Sequence, residues 1–178
     1  MIYTPREDSF LLEKAVKKFS KNKSVLDMGS GSGIQAQAAI ASGAKSVLAV
    51  DIDQEVVSHL TRQHIKAIQS NLFTNVKGTF DLILFNPPYL PADAREDKES
   101  ARTNAGGKHG DEILLKFIKQ SKKHLAPKGI MLIIVSSLTP QTKILNLIKK
   151  QSLSKKVLDK MPLFMESLEV WKLSTKAQ

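Results

Sequence analysis

Ser24-Val25-Leu26-Asp27-Met28-Gly29-Ser30-Gly31-Ser32-Gly33, followed by Ile34–Ala41, is the stretch that decides the fold. A short apolar run reads as a strand and ends at three alternating glycines. An Ala- and Gln-rich segment then reads as a helix. Glycines between a strand and a helix let the backbone turn tightly and approach a ligand without Cβ clashes. A dinucleotide fingerprint, G-x-G-x-x-G, needs glycine at the sixth position. Here that position is Ile34, and the third glycine comes one residue early. With the acid Asp27 ahead of the loop, the pattern suits a ligand with an amino group and a ribose better than a pyrophosphate. Taken alone, the loop also reads as a plain strand-to-helix turn.

The same alternation continues along the chain. Strands are expected at Ser46–Val50, Lys66–Ser70, Phe80–Phe85, Gly129–Val135, Lys155–Leu158 and Ser167–Leu173. Helices are expected at Gln54–Ile65, capped by Asp53, and at Glu112–Leu125 and Gln141–Lys149. Nearly continuous apolar strands separated by helices indicate βαβ units, with strands buried on both faces of a parallel sheet. Right-handed crossovers then give a doubly wound α/β fold. The last two strands have no helix between them, so the final strand is expected to be antiparallel. At 178 residues, residues 1–178 are expected to form a single domain. The one long irregular stretch, Pro91–Gly110, reads as an active-site loop that closes over the site.

Composition narrows the function classes. There is no cysteine, so disulfides, thiol nucleophiles and thiolate metal sites are excluded. His59, His64, His109 and His124 form no i,i+4 ligand pair, and no metal is expected. No apolar run approaches the ~18 residues of a membrane span. The opening MIYTPREDSF lacks the basic and apolar regions of a signal peptide, so no membrane contact and a cytoplasmic location are expected. Net charge is +10, from 27 Lys and Arg against 17 Asp and Glu. That balance favours an acidic or RNA-bearing partner, or else describes a Lys-rich solvated surface.

Two further features carry chemistry. Asp51 ends the second strand, where a carboxylate can accept both hydroxyls of a ribose; Asp53 is the competitor and is better used as a cap. Asn86-Pro87-Pro88-Tyr89 directly follows the fourth strand. Two prolines fix the backbone and remove two N–H donors. The Asn86 side-chain oxygen and the Pro87 carbonyl can then act as acceptors at fixed positions, which suits an –NH2 group on a planar carbon. Holding both hydrogens stabilises the positive charge that develops when that nitrogen attacks an electrophile. Tyr89 can stack on the flat group.

D-x-G-x-G-x-G, the acid after the second strand and N-P-P-Y after the fourth together resemble the S-adenosylmethionine-dependent methyltransferases that act on planar nitrogen. Within these, the chain is similar to the HemK/PrmC glutamine methyltransferases of peptide release factors, and most to their archaeal and eukaryotic branch. Tyr3-Thr4-Pro5-Arg6-Glu7-Asp8-Ser9-Phe10-Leu11-Leu12 resembles that branch's Y-x-P-x-E-D-[ST]-F-L-L opening. Gly106-Gly107-Lys108-His109-Gly110-Asp111-Glu112 is similar to its G-G-x-x-G-x-E segment. The resemblance implies a Rossmann-like class I methyltransferase fold, a doubly wound, seven-stranded, mostly parallel sheet with an antiparallel final strand. It also implies S-adenosyl-L-methionine as cofactor and protein methylation as the activity.

Residue by residue, the resemblance implies that Asp27, Gly29, Gly31 and Gly33 hold the methionine part of the cofactor. Asp51 would take the ribose and Ile52 would pack on the adenine. Tyr3, Pro5, Asp8 and Ser9, within an N-terminal covering segment 1–23, would close over the cofactor. Asn86, Pro87, Pro88 and Tyr89 would bind substrate, with Asn86, Pro87 and Tyr89 catalytic. Family members often carry an acid where this chain has Asn71, before Leu72-Phe73; Asn71 can still accept a hydrogen bond from the adenine amino group but lacks the charge. Bacterial members also carry an N-terminal helical domain ahead of this motif. The implied partners are a peptide-chain release factor as substrate and a small zinc-binding activator subunit, expected to pair with an exposed third strand near Ala67 and Ile68.

Three other readings compete. One is methylation of an exocyclic amino group of adenine or guanine in RNA or DNA, which N-P-P-Y would serve equally well and a Lys-rich, nucleic-acid-binding surface would favour. Another is a binding module without turnover, for which two aimed acceptors have no use. The third, an NAD dehydrogenase, fails on the glycine spacing.

Overall fold

A computed structural model describes residues 2–89, 107 and 109–175. Its elements are α1 (Glu7–Phe19), β1 (Ser24–Met28), α2 (Ile34–Ala41), β2 (Ser46–Asp51), α3 (Gln54–Arg62), β3 (Ala67–Gln69), β4 (Phe80–Phe85), α4 (Glu112–Ser121), β5 (Leu125–Ser136), α5 (Gln141–Lys150), β6 (Leu153–Leu163) and β7 (Glu166–Thr175). The strands form one sheet in the order β3-β2-β1-β4-β5-β7-β6. β1 to β5 pair in parallel, whereas β7 runs antiparallel to both β5 and β6.

Strand residues alternate between two cores, as the period of two demands. On β4, Ile83 and Phe85 face one way, toward Leu114, Phe117 and Ile118 of α4 and Ile144 and Ile148 of α5. Leu82 and Leu84 face the other, toward Leu11, Leu12, Ala15 and Val16 of α1 and Ala38 and Ala39 of α2. β5 repeats this, with Met131 and Ile133 on the α4 side and Leu132 and Ile134 on the α1 side. A third cluster joins α3 to β2 and α2 through Val56, Leu60, Ile65, Ala49 and Ala36. Fully burying one such Leu, Ile or Phe side chain contributes roughly 1.5–3 kcal/mol. Two complete apolar layers therefore fix the central strands, and with them the loops at their ends.

Element boundaries differ from the sequence expectations in several places: α1 lies in the segment 1–23, where no helix was expected, and β5 starts at Leu125 and not Gly129. α3 ends at Arg62 and not Ile65, because His64 adopts φ +61° and turns the chain so that Ile65 can enter the third cluster. Asp53 caps α3 as expected, accepting from the Glu55 N–H at 2.8 Å. α4 ends at Ser121; Lys122–His124 form one 3-10 turn, and His124 stacks on Phe73 with ring centroids 4.8 Å apart. The last two strands are longer than their apolar runs. Asp159–Leu163 and Glu166, expected as a connection, lie in strand, and only Phe164 and Met165 form the turn. β6 is an exposed edge strand, so its polar residues carry no apolar alternation to read.

The parallel strands run outward on both sides of the gap between β1 and β4. In such a sheet the crevice beyond the carboxyl ends at that point is where ligands bind. The glycine loop after β1 and Asn86–Tyr89 after β4 both open into it. Gly33 is a packing requirement here. It has φ +83°, and a Cβ there would stand 2.5 Å from Leu60 Cδ2. Gly33→Ala should therefore destabilise the protein by about 2 kcal/mol through backbone strain and overpacking, read as a lower urea midpoint with an unchanged slope.

Candidate active site

The glycine loop is held from within and from β2. Gly29, Gly31 and Gly33 all have positive φ, at 63°, 51° and 83°. The Ser30 hydroxyl donates to the Asp27 carbonyl at 2.8 Å and accepts from the Val50 N–H at 3.1 Å. The Ser30 N–H donates to the Val50 carbonyl at 3.1 Å. Asp51 accepts from the Gly31 N–H at 3.0 Å through one carboxylate oxygen and from the Asp53 N–H at 3.0 Å through the other. Asp51 is thus oriented at the strand end with lone pairs to spare, which suits a diol. Ile52 beside it is exposed, with an apolar surface open to a flat ring. Asn71 lies in the exposed turn after β3, and the next residue, Leu72, has φ +48°.

Asp27 is buried, and its Oδ2 has no hydrogen-bond partner. Burial pushes its pKa up to about 7; interactions with Ser30 and the Ala36 backbone pull the other way, and the charge of Asp51 adds to the rise. A buried acceptor of this kind can take up a proton or a cation.

The N-terminal segment enters the site through Asp8. Its carboxylate accepts from the Tyr3 hydroxyl at 3.1 Å, from the Ser9 N–H at 2.6 Å and hydroxyl at 3.2 Å, and from Asn86 Nδ2 at 3.0 Å. The carboxylate repels an amide oxygen, so Asp8 dictates which way the Asn86 amide faces. Asn86 Oδ1, turned the other way, is buried and unpartnered. Tyr3 lies against the loop, where a Cβ on Gly31 would stand 3.4 Å from its own Cβ. Burial, with the Asp8 carboxylate, holds both the Tyr3 and Tyr89 hydroxyls above the ordinary phenol range, so both stay protonated donors at neutral pH. Pro87 is buried, and Pro88 and Tyr89 are half-buried. Tyr89 packs on the α1-side core together with Met161 and Leu163 of β6.

The structure therefore brings Tyr3, Asp8, Ser9, Asp27, the three glycines, Asp51 and Asn86 into one connected site. Sequence reasoning placed Asp8 only over the cofactor, whereas its side chain also fixes Asn86. It missed Gln35, buried on α2, whose Nε2 donates to the Ser9 carbonyl at 2.8 Å while its Oε1 stays unpartnered. A glutamine on the Ala-rich buried face of α2 was the available signal. It also missed Glu166, whose charge reaches Tyr89 across the sheet. Of the expected Pro91–Gly110 loop, residues 91–106 and 108 lie outside the described residues. At its end, Glu112 accepts from the His109 N–H at 3.1 and 3.2 Å, which ties His109 to the start of α4. No group of side chains suited to a metal ion occurs among the described residues, nor any helix long and apolar enough to cross a membrane.

The methyltransferase small domain family matches residues 7–159. The chain belongs to that family. It is an S-adenosylmethionine-dependent methyltransferase. A Methanocaldococcus jannaschii protein, provisionally named a protein N5-glutamine methyltransferase, is 41% identical over 83% of this chain and 79% of its own length. The release factor glutamine methyltransferase of Borreliella burgdorferi is 33% identical over 74% of this chain; the match spans about half, 52%, of that relative. Among solved structures, the methyltransferase of the E. cuniculi Mtq2-Trm112 complex, responsible for methylating the translation termination factor eRF1, superposes with a TM-score of 0.81. It covers 98% of this chain and 99% of its own at 19% identity, a likeness of fold.

The raised pKa of Asp27 gives this methyltransferase a pH signature. In the free protein the native state holds the Asp27 proton up to about pH 7, while the unfolded chain releases it near 3.8. The native state binds the extra proton, so this group makes stability fall as pH rises from about 4 to 7 and adds nothing further above that. The stability of Asp27→Asn relative to the wild type should rise by about 1–3 kcal/mol between pH 5 and pH 8. Urea denaturation of both proteins at the two pH values, without cofactor, checks this.

Proposed function

We propose that this methyltransferase modifies the side-chain amide of a glutamine in a translation release factor. The observation that carries the reading is Asn86 Oδ1, a buried, unpartnered acceptor at the carboxyl end of β4, aimed by the Asn86–Asp8 hydrogen bond. The names of the Methanocaldococcus and Borreliella relatives point to the same substrate class.

Asp27 Oδ2 would hold the ammonium of the cofactor, with Gly29, Gly31 and Gly33 allowing close approach of the backbone. Asp51 would take the ribose, Ile52, Asn71 and Leu72 would line the adenine, and Tyr3, Pro5 and Ser9 would cover it. The orphaned Asp27 oxygen and the positive-φ glycines fit that group. When bound, the cofactor supplies an electrophilic methyl group on a sulfonium. Asn86 Oδ1 and the Pro87 carbonyl would accept the two N–H groups of the substrate amide. Held so, the nitrogen lone pair turns out of conjugation, and both acceptors strengthen as positive charge develops. The nitrogen would gain the methyl group as the donor's S–CH3 bond breaks, and would release one proton to solvent. Tyr89 would pack on the flat amide.

A small activator subunit is part of the proposal. Among the described residues β3 pairs with β2 alone, which leaves its other side as a sheet edge at Ala67–Gln69. Such an edge can accept a strand from another chain. The E. cuniculi relative is a complex of two named proteins.

The deciding experiment incubates the protein and methyl-labelled cofactor with purified release factor or with total RNA. Label in a release-factor glutamine is the expected result; label confined to RNA would overturn the reading. Asn86→Ala should lower kcat by roughly 100-fold or more while leaving cofactor affinity by calorimetry within a few-fold. Asp8→Ala, which frees the Asn86 amide to rotate, should lower kcat by about tenfold with an unchanged circular dichroism spectrum.

A further inference from the structure

The turn joining β6 to β7 holds the two most exposed large apolar side chains among the described residues, Phe164 at 93% and Met165 at 83%. Single exposed apolar residues are ordinary; adjacent ones beside a reactive site are not. Leu138, 48% exposed, follows the Ser136–Ser137 segment that is tied to the strand leaving this turn. The Ser136 hydroxyl donates to Glu166 at 2.7 Å and accepts from the Leu138 N–H at 3.0 Å. The Ser137 N–H donates to the Ser167 carbonyl at 2.8 Å, and the Ser167 N–H to the Ser137 hydroxyl at 2.9 Å. The turn is thereby clamped to the carboxyl end of β5, at the edge of the sheet onto which Asn86–Tyr89 opens. The link to that site is continuous. Met161, Leu163 and Tyr89 pack on one core cluster, and the Glu166 carboxylate acts on the Tyr89 hydroxyl.

The backbone gives a second, independent sign. Met165 sits at φ +63° in a two-residue turn between the paired residues Leu163 and Glu166. Glycine or asparagine is the residue such a position favours. A bulky side chain is kept there at a conformational cost, and it points into solvent.

We infer that Phe164, Met165 and Leu138 form a docking surface for the protein that delivers the reactive amide, an addition that rests on the glutamine reading above. Charge selects the class of occupant. Acting on Tyr89 at the mouth are Asp8, Glu166 and Glu7, opposed by Arg6, and Glu166 stands within the patch itself. A nucleic acid would bring phosphates toward three carboxylates, whereas a protein surface that is apolar at its centre and basic at its edge would meet favourable charge. The same protein must already reach Asn86, so the tip enlarges an interface that catalysis requires.

The test compares wild type with Phe164→Ser/Met165→Gly. Gly at 165 suits the positive φ, so the hairpin is retained or strengthened, and cofactor calorimetry confirms an intact site. The substrates are the intact release factor and a short synthetic peptide from it bearing the target glutamine. The expected result is a 10- to 50-fold loss of kcat/KM on the intact protein, carried by KM, with peptide kinetics unchanged. Leu138→Ser should give a smaller loss of the same kind. Equal kinetics for wild type and variant on the intact protein would overturn the docking surface, as would an equal loss on protein and peptide. If wild type labels RNA and neither protein nor peptide, the glutamine reading itself falls, and the docking surface with it.

Discussion

Four donors from three parts of the chain converge on the carboxylate of Asp8: the Tyr3 hydroxyl, the Ser9 N–H and hydroxyl, and the Asn86 amide. A carboxylate near the start of a helix is favoured by the exposed N–H groups and the helix dipole, so its position in the first turn of α1 is set locally. Tyr3 and Ser9 are near neighbours in the chain, but Asn86 lies 78 residues away. Through this one group the N-terminal segment is tied to the loop after β4, and the covering element and the amide acceptor are placed as a unit. A carboxylate accepts only, so its partners must donate. Asn86 must therefore turn its NH2 toward Asp8 and its oxygen away from it.

The same economy governs the other half of the site. Asp51 is engaged through both oxygens by backbone N–H groups, from Gly31 and Asp53, and so cannot swing away from the strand end. Asp27 is the opposite case, enclosed with one oxygen unanswered. The first is a fixed acceptor ready at any time. The second is an unsatisfied one, raised in pKa by burial and relieved by a proton or a cation. The difference arises from position: Asp51 ends its strand at the surface, whereas Asp27 sits inside β1 beneath the loop.

The central strands were legible because their apolar runs are long and bounded by glycine or proline. Ser24–Met28, Phe80–Phe85 and the core of β5 stand where the pattern placed them. The site residues that sit at strand ends, Asp51 and Asn86, were legible for the same reason. What sequence could not show was contact across long separations. Asp8 read as a covering residue because nothing near it names Asn86 as its partner. Glu166 read as part of a connection because an edge strand exposed to water has no apolar alternation. The ends of α3 and α4 were overrun because the apolar residues beyond them, Ile65 and Leu125, serve other elements.

Asp27 also bears on how long each molecule persists. Around pH 7, where burial leaves Asp27 poised between its two protonation states, its ionised form is an enclosed charge without a counter-charge, a desolvation cost carried by the folded protein. On the proposed reading, in which the ammonium of the cofactor pairs with that carboxylate, binding would offset this cost, and occupancy and folding would be thermodynamically linked. The vacant molecules are then the ones that open most often, and opened chains are what proteases degrade. Supply of the methyl donor would thus set how much of this enzyme survives as well as how fast it turns over.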